Sequence, residues 1–344
     1  MSGRVVLALG LAICAGIAFG VPALGLRMLV PSLEDSPRAR TTNWRGHSVV
    51  MGLGSVWLFW ALGLVGVYAV LAIVGSLVAS STPGELIVLL APAVLLAIVV
   101  FAVGMLDDAL GSGAERGFAG HLKALASGRL TTGMLKLLVI SVASLLVAWY
   151  AASELSGAID APSYWAYVLF GGLSIALTSN FVNLTDLRPA RALKAYGLLV
   201  LVGALAQLAT ILFVSAQTRG FGGHVLVTHG LAIFAALLLL LLGPAMAAWP
   251  YDAGERGMLG DAGANPAGAV AGLLIVGSLP LVGVIVYAVV MLALNLASER
   301  WSFSAIVEGN RALRWLDGLG RRKDATGGIG AAQGTGSESG VNDG

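Results

Sequence analysis

Long apolar stretches separated by short polar segments dominate the hydropathy pattern of this chain. A helix needs about 20 apolar residues to cross the ~30 Å hydrocarbon core of a bilayer. Stretches of that kind occur at 5–30, 49–79, 84–106, 134–152, 163–182, 193–214 and 228–249. The pattern therefore predicts an all-α fold, a polytopic helical bundle embedded in a membrane.

A further apolar stretch, 266–297, is too long for one ordinary pass. The four residues 277–280, Gly-Ser-Leu-Pro, interrupt it and are typical of a turn. We predict two short helices there, 266–278 and 281–297. The total is then about nine transmembrane helices, which puts the two termini on opposite sides of the membrane.

The composition agrees with a membrane protein and excludes an ordinary soluble domain. Hydrophobic residues make up 58% of the chain and charged residues only 11%, whereas soluble domains carry roughly 25% charged residues. A chain with so few charges cannot cover a water-facing surface. Lipid is therefore the expected environment, and no nucleic-acid partner is expected.

The positions of the basic residues predict the orientation. The chain has 20 lysines and arginines, and such residues concentrate in cytoplasmic loops. With the N-terminus outside, only Arg4 and Arg219 fall on the outer side. We therefore predict a multi-pass protein of the cell membrane with a cytoplasmic C-terminus.

The chain after the last predicted span divides into two parts. In 299–323, apolar and charged residues alternate as in an amphipathic helix that lies on the cytoplasmic membrane surface. The segment 324–344 is rich in Gly and Ser and is predicted to be disordered. Residues 1–298 form the predicted transmembrane domain.

Aspartates lie at or just past the cytoplasmic ends of several predicted spans. Asp107 and Asp108 end the third span, Asp186 follows the fifth, and Asp252 and Asp261 follow the seventh. In a helical bundle these carboxylates can converge on one patch. Mg²⁺ binds one or two carboxylates and takes its other ligands from water and substrate phosphates. The pattern thus favours a site for phosphorylated ligands at the membrane surface.

Three motifs give these aspartates their context: 107–111 (DDALG), 180–186 (NFVNLTD) and 260–263 (GDAG). In order, spacing and membrane side they resemble the polyprenyl-phosphate sugar-1-phosphate transferases, glycosyltransferase family 4. That superfamily includes the phospho-MurNAc-pentapeptide translocase and the GlcNAc-1-phosphate transferases. The similarity spans about residues 36–298, so 1–298 is expected to be the transferase domain.

The resemblance implies a reaction in which a polyprenyl phosphate attacks the β-phosphate of a UDP-sugar. The products are a polyprenyl-diphosphate-sugar, which initiates a lipid-linked cell-envelope glycan, and UMP. Mg²⁺ is the implied cofactor, with Mn²⁺ as the alternative ion. Asp261 would be the leading metal ligand, and Asp107 and Asp108 would assist with the metal or the lipid phosphate; all three are the implied catalytic residues. A homodimer is compatible with the resemblance.

The same resemblance implies the substrate-binding residues. Asn180, Asn183 and Asp186 would hold the nucleotide sugar. Lys136, near the start of the fourth span, would match a family lysine that lies close to the phosphates.

Two departures from the family pattern keep other functions open. Residues 187–191 read Leu-Arg-Pro-Ala-Arg where relatives have further glycines, and 298–323 contain no histidine where relatives carry a histidine-rich motif. One alternative is an inactive relative that binds a lipid phosphate or acts as a scaffold. Another is a transporter or flippase, although such proteins usually place ionisable residues at mid-membrane.

Overall fold

The computed structural model describes residues 12–78, 84–111, 117–153, 159–217 and 221–321. Arg4, Arg219 and the predicted disordered segment 324–344 lie outside the described residues. Within them the chain is mostly helical, as predicted.

The helices of the described residues correspond to the predicted apolar stretches and to short connecting segments. In chain order they are α1 (Ala12–Glu34), α2 (Ser55–Val78), α3 (Gly84–Leu110), α4 (Gly117–Ala126), α5 (Thr132–Ser153), α6 (Ala161–Thr185), α7 (Arg191–Gln217), α8 (Phe221–Asp252), α9 (Asp261–Ser278), α10 (Leu281–Arg300), α11 (Phe303–Gly309) and α12 (Arg311–Gly318). The predicted interruption of 266–297 is confirmed, because α9 ends at Ser278 and α10 begins at Leu281.

Seven helices of the described part are long and apolar enough to cross a membrane, so the chain is that of a membrane-embedded protein. These candidate spans are Ala12–Glu34, Leu90–Leu110, Thr132–Ser153, Ala161–Thr185, Arg191–Val214, Phe234–Asp252 and Leu281–Arg300. The other two predicted spans correspond to α2, whose apolar part here is Ser55–Gly66, and to α9. The count of about nine and the orientation stay predictions.

A small sheet joins two loops at the end of the bundle where α1 and α8 end. Strand β1 (Arg40–Thr42) pairs antiparallel with β2 (Ser48–Met51), and β2 pairs in parallel with β3 (Gly257–Met258). The prediction that residues 49–54 belong to a transmembrane helix was wrong, since β2 occupies its start and α2 begins at Ser55. The sheet was not predicted by the all-α interpretation, and it fixes the chain two residues before the GDAG motif.

Helix α9 lies in the interior of the bundle and packs against α3, α6 and α7. Most of its side chains are small and buried. A Cβ added at Gly268 would lie 2.4 Å from the backbone oxygen of Thr178 in α6, so the two backbones are in direct contact. Small residues at helix interfaces permit such close approach. The indole Nε1 of Trp57 in α2 also donates a hydrogen bond to the Gly263 oxygen at 2.9 Å. The start of α9 is thereby held from several sides.

Candidate active site

Three predicted site residues from three helices meet at one ammonium group. The Lys136 Nζ in α5 lies 2.6 Å from Oδ2 of Asp107 in α3 and 2.7 Å from Oδ2 of Asp261, the first residue of α9. All three side chains are at most 20% exposed. The two carboxylates therefore face a single point, and that point carries positive charge.

Asp108 contacts the start of α9 through backbone groups. Its Oδ1 accepts a hydrogen bond from the Asp261 N–H and its Oδ2 accepts one from the Ala262 N–H, both at 2.9 Å. The first N–H groups of a helix have no partner inside the helix, and a negative charge there is stabilising. Asp108 thus caps α9 from a neighbouring helix. Both of its carboxylate oxygens are used in fixing the backbone that carries Asp261.

The residue before Asp261 must be a glycine for this cap to form. Gly260 has a φ of 64°, in the left-handed region that side chains with a Cβ rarely adopt. A Cβ at this position would also lie 2.7 Å from Asp108 Oδ2. The glycine of the GDAG motif therefore has a steric role independent of any ligand.

Two further glycines allow the start of α9 to seat against its neighbours. A Cβ at Gly104 in α3 would lie 2.5 Å from the Asp261 oxygen, and a Cβ at Gly54 would lie 2.4 Å from the Ala262 carbonyl carbon. Both contacts are to backbone, which cannot yield as a flexible side chain can. The position of Asp261 is therefore determined by close backbone packing as well as by the Asp108 cap.

We expect Gly104→Ala to destabilise the protein by about 1–3 kcal/mol, the usual cost of forcing an extra methyl group into a close-packed site. Gly197→Ala is the matched control, because Gly197 also lies within a helix and has open space around its Cβ position. That variant should be neutral or slightly stabilising, since alanine favours helix over glycine. Thermal unfolding of both purified variants makes the comparison. Equal midpoints would contradict the close seating of α9.

Asp186 supports the same segment from the other side, and Asp252 supports the chain that follows Asp186. Asp186 follows α6, and its Oδ2 accepts a hydrogen bond from the Gly260 N–H at 3.0 Å. Asp252, which is 2% exposed, accepts one from the Ala190 N–H at 3.0 Å. Burial, and then the negative charge of Asp252, raise the pKa of Asp186 well above its ordinary value. Asp186 therefore holds the GDAG backbone in an environment that disfavours its ionised form.

The two asparagines of the second motif have different surroundings. Asn180 donates from Nδ2 to Oδ1 of Asn295 in α10 at 2.7 Å, and Asn295 in turn donates to the Leu177 and Met291 oxygens. Asn180 thus links α6 to α10 and makes no hydrogen bond to any aspartate among the described residues. Among the described residues the Asn183 side chain has no hydrogen-bond partner, and its backbone oxygen accepts from the Asp186 N–H at 3.0 Å.

A shallow surface recess, with an internal volume of only about 10 Å³, lies next to Asp186. Asn43, Trp44, Arg188 and Glu255 are among its lining residues. The Arg188 guanidinium carbon lies 3.8 Å from the centre of the Trp44 ring, a cation–π contact between the first loop and the segment after α6. No role for Trp44 was predicted from the sequence, in which its aromatic character in a basic loop was the only signal.

Residues 301–321, which we call the C-terminal strap, are bound to the segment that follows Asp186. Asp317 accepts hydrogen bonds from Nε and Nη2 of Arg191, both at 2.9 Å, and from Arg321 at 2.7 Å. Arg321 also donates to the Pro189 oxygen at 3.0 Å, and Arg188 forms an ion pair with Glu308. Burial alone would raise the pKa of Asp317, but the hydrogen bonds from Arg191 bring the pKa below its ordinary value.

Asp107, Asp108 and Asp261 are the residues predicted to hold a metal ion. Among the described residues, no group of three or more His, Cys, Asp and Glu side chains is arranged to hold a metal ion. Asp107 and Asp261 do present two carboxylate oxygens to one cation, the Lys136 ammonium. Two carboxylates are sufficient for Mg²⁺, which keeps waters and binds substrate phosphates. The residues therefore fit Mg²⁺ through Asp107 and Asp261, whereas both oxygens of Asp108 are used by backbone N–H groups.

The comparisons with known proteins give no family assignment: no protein-family model matches the chain, and no curated protein matches it.

Proposed function

We propose that this chain is an integral-membrane sugar-1-phosphate transferase that acts on a UDP-sugar and a polyprenyl phosphate. An oxygen of the lipid phosphate attacks the β-phosphorus of the UDP-sugar. The bond from that phosphorus to the bridging oxygen breaks, and UMP leaves. The observation that carries the proposal is the convergence of Asp107, Lys136 and Asp261. Asp108 and Asp186 fix this arrangement by accepting hydrogen bonds from the backbone of residues 260–262.

The charges of this cluster suit phosphoryl transfer, in which a protein mainly positions groups and neutralises charge. The Lys136 ammonium has three donors and can turn from the carboxylates toward phosphate oxygens. Asp107 and Asp261 would hold Mg²⁺, or Mn²⁺ in its place. When bound, the ion would neutralise negative charge on the diphosphate. Asp108 has a positioning role in this proposal, since it fixes the backbone of Asp261.

The surface around the shallow recess beside Asp186 is the candidate position against which the nucleotide sugar would lie. Arg188 can offer a planar fork of donors to a phosphate, and its stacking on the Trp44 ring positions the guanidinium. Asn183 has an amide without a partner among the described residues and lies one helical turn before Asp186. These features support a binding role for Asn183 and Asp186. Asn180 would act indirectly, by holding α6 against α10.

A nine-span arrangement is consistent with this function. If α2 and α9 cross the membrane together with the seven candidate spans, consecutive long helices alternate in direction. The ends that carry Asp107, Asp186 and Arg300 then lie on the same side as Asp261. We propose that this side is the cytoplasmic face of the cell membrane, because most lysines and arginines fall there.

UMP release tests the proposal directly. Purified protein in lipid nanodiscs would receive Mg²⁺, undecaprenyl phosphate and a panel of UDP-sugars. We expect UMP release with at least one donor, dependent on both the lipid and the metal. UMP formed without the lipid phosphate would indicate a hydrolase, and no UMP from folded protein with any donor would overturn the transferase assignment.

A second candidate function is a lipid-phosphate-binding protein without transferase activity. Two observations favour it: the Lys136 ammonium fills the point between the two carboxylates, and 298–321 lack histidine. This candidate predicts saturable binding of polyprenyl phosphate to the folded protein without Mg²⁺-dependent UMP release. The same nanodisc preparation distinguishes the two functions.

A further inference from the structure

The C-terminal strap lies beside the ends of two candidate spans. Its first residue, Trp301, directly follows the span that ends at Arg300. Its far end is bound through Asp317 to Arg191, the residue at which another candidate span begins. Gly320 also packs against the ring of Trp249, near the end of α8. These attachments keep the strap at the level where the helices leave the apolar core of the membrane.

The outward side of the strap is apolar and positively charged. Trp315 is 67% exposed, Trp301 61% and Leu316 51%. Arg311 and Arg314, on the same helix as Trp315, are exposed and have no ion pair among the described residues. By contrast, the acidic residues Glu308 and Asp317 are paired with arginines of the bundle. The exposed surface therefore combines tryptophan and leucine with unpaired arginines.

This combination matches one kind of partner. Amphipathic helices bind in the membrane interface when apolar side chains enter the headgroup region and basic residues meet anionic lipids. Tryptophan is enriched at that level of the bilayer. The strap cannot turn this surface inward, because Asp317 and Arg321 fix its other side to α7 and Pro189.

We propose that the C-terminal strap docks on the anionic phospholipid surface of the membrane, with Trp315 inserted among the headgroups and Arg311 and Arg314 against lipid phosphates. This interaction does not depend on the transferase function. Because the strap is bound to residues 188–191, docking holds the segment that follows Asp186 at the membrane surface.

Spin labelling can test the docking in the full chain. Cys14 is the only cysteine, so Cys14→Ser allows a nitroxide to be placed at Trp315→Cys. The protein is reconstituted in nanodiscs of phosphatidylcholine alone or with phosphatidylglycerol. Accessibility of the label to oxygen, which partitions into the bilayer, is compared with that to a water-soluble nickel chelate. We expect the anionic lipid to raise oxygen accessibility and to lower nickel accessibility.

Two double variants assess the role of charge. Each arginine near an anionic membrane surface strengthens binding to it. The double variant Arg311→Gln with Arg314→Gln should therefore lower the ratio of docked to free strap by about 30-fold in anionic discs. Arg38→Gln with Arg40→Gln removes two exposed arginines of the first loop and should leave the label docked. Three results would overturn the proposal: a label equally accessible to nickel in both discs, docking that persists without Arg311 and Arg314, or equal loss in the two double variants.

Discussion

Asp261→Asn is expected to reduce UMP release by on the order of 10³-fold or more while the protein stays folded. Removal of one preorganised polar group from a transition-state site typically costs 10²–10³ in rate, and under the proposed function Asp261 would supply a carboxylate for the metal in addition to its contact with Lys136. Asparagine has nearly the same size. The backbone N–H of residue 261, from which Asp108 accepts a hydrogen bond, is unchanged. Helix α9 should therefore begin at the same residue.

The control for this variant is Asp35→Asn. Asp35 is exposed and follows the helix that ends at Glu34, so the substitution removes a carboxylate without touching the cluster. Turnover of this variant should lie within about twofold of the parent, because exposed charges away from a site have small effects. UMP would be measured at saturating undecaprenyl phosphate, with thermal unfolding as the check on folding. Asp261→Asn protein with parental turnover would contradict the assignment of Asp261.

The sequence predicts that the aspartates gather at one end of the bundle, and the structure brings them together there. This prediction was possible because hydropathy fixes where each span ends, and successive loops on the same side lie at the same depth. Asp186 directly follows α6, Asp261 is the first residue of α9, and Asp107 lies in the last turn of α3. Their positions in the sequence were therefore sufficient to predict at which end of the bundle they lie.

The different contacts of Asp107 and Asp108 could not be predicted from the sequence. Adjacent residues of a helix point about 100° apart, so only one of them can face Lys136. Which one does so depends on the rotation of α3 about its axis, and a span with apolar residues on all sides leaves that rotation undetermined. Both were therefore predicted as metal ligands, whereas the structure shows that the oxygens of Asp108 accept backbone hydrogen bonds from α9.

The small sheet and the attachments of the C-terminal strap were missed for another reason. Val50 pairs with Gly257 across more than half of the chain, and each strand is too short to show the alternation that marks a strand. The amphipathic pattern of 299–323 predicts a surface helix but not its partners. The Arg191–Asp317 ion pair joins residues 126 positions apart. Such long-range pairs follow from tertiary packing rather than from local sequence.

Lys136→Met is expected to lower stability by about 3–5 kcal/mol when divalent ions are absent. The substitution keeps a long apolar stem but removes the ammonium, and the Asp107 and Asp261 carboxylates are then buried without a cation. Breaking a buried ion pair by removing one partner has a cost of this size. Thermal unfolding in the presence of a chelator measures the loss. Lys123→Met is the control, because Lys123 is an exposed lysine on α4 and its loss should change the midpoint little.

Adding Mg²⁺ separates a metal site from a purely structural ion pair. In Lys136→Met protein the ion can occupy the point between the two carboxylates, and binding to the folded state alone raises stability by about 2.7 kcal/mol at a concentration 100 times Kd. The variant should therefore recover much of its midpoint in Mg²⁺, whereas Lys123→Met and the parent should respond less, because the ammonium already balances the carboxylates. If the Lys136→Met midpoint is insensitive to Mg²⁺ and Mn²⁺, the two oxygens do not form a divalent site, and Asp107 and Asp261 serve only to hold Lys136.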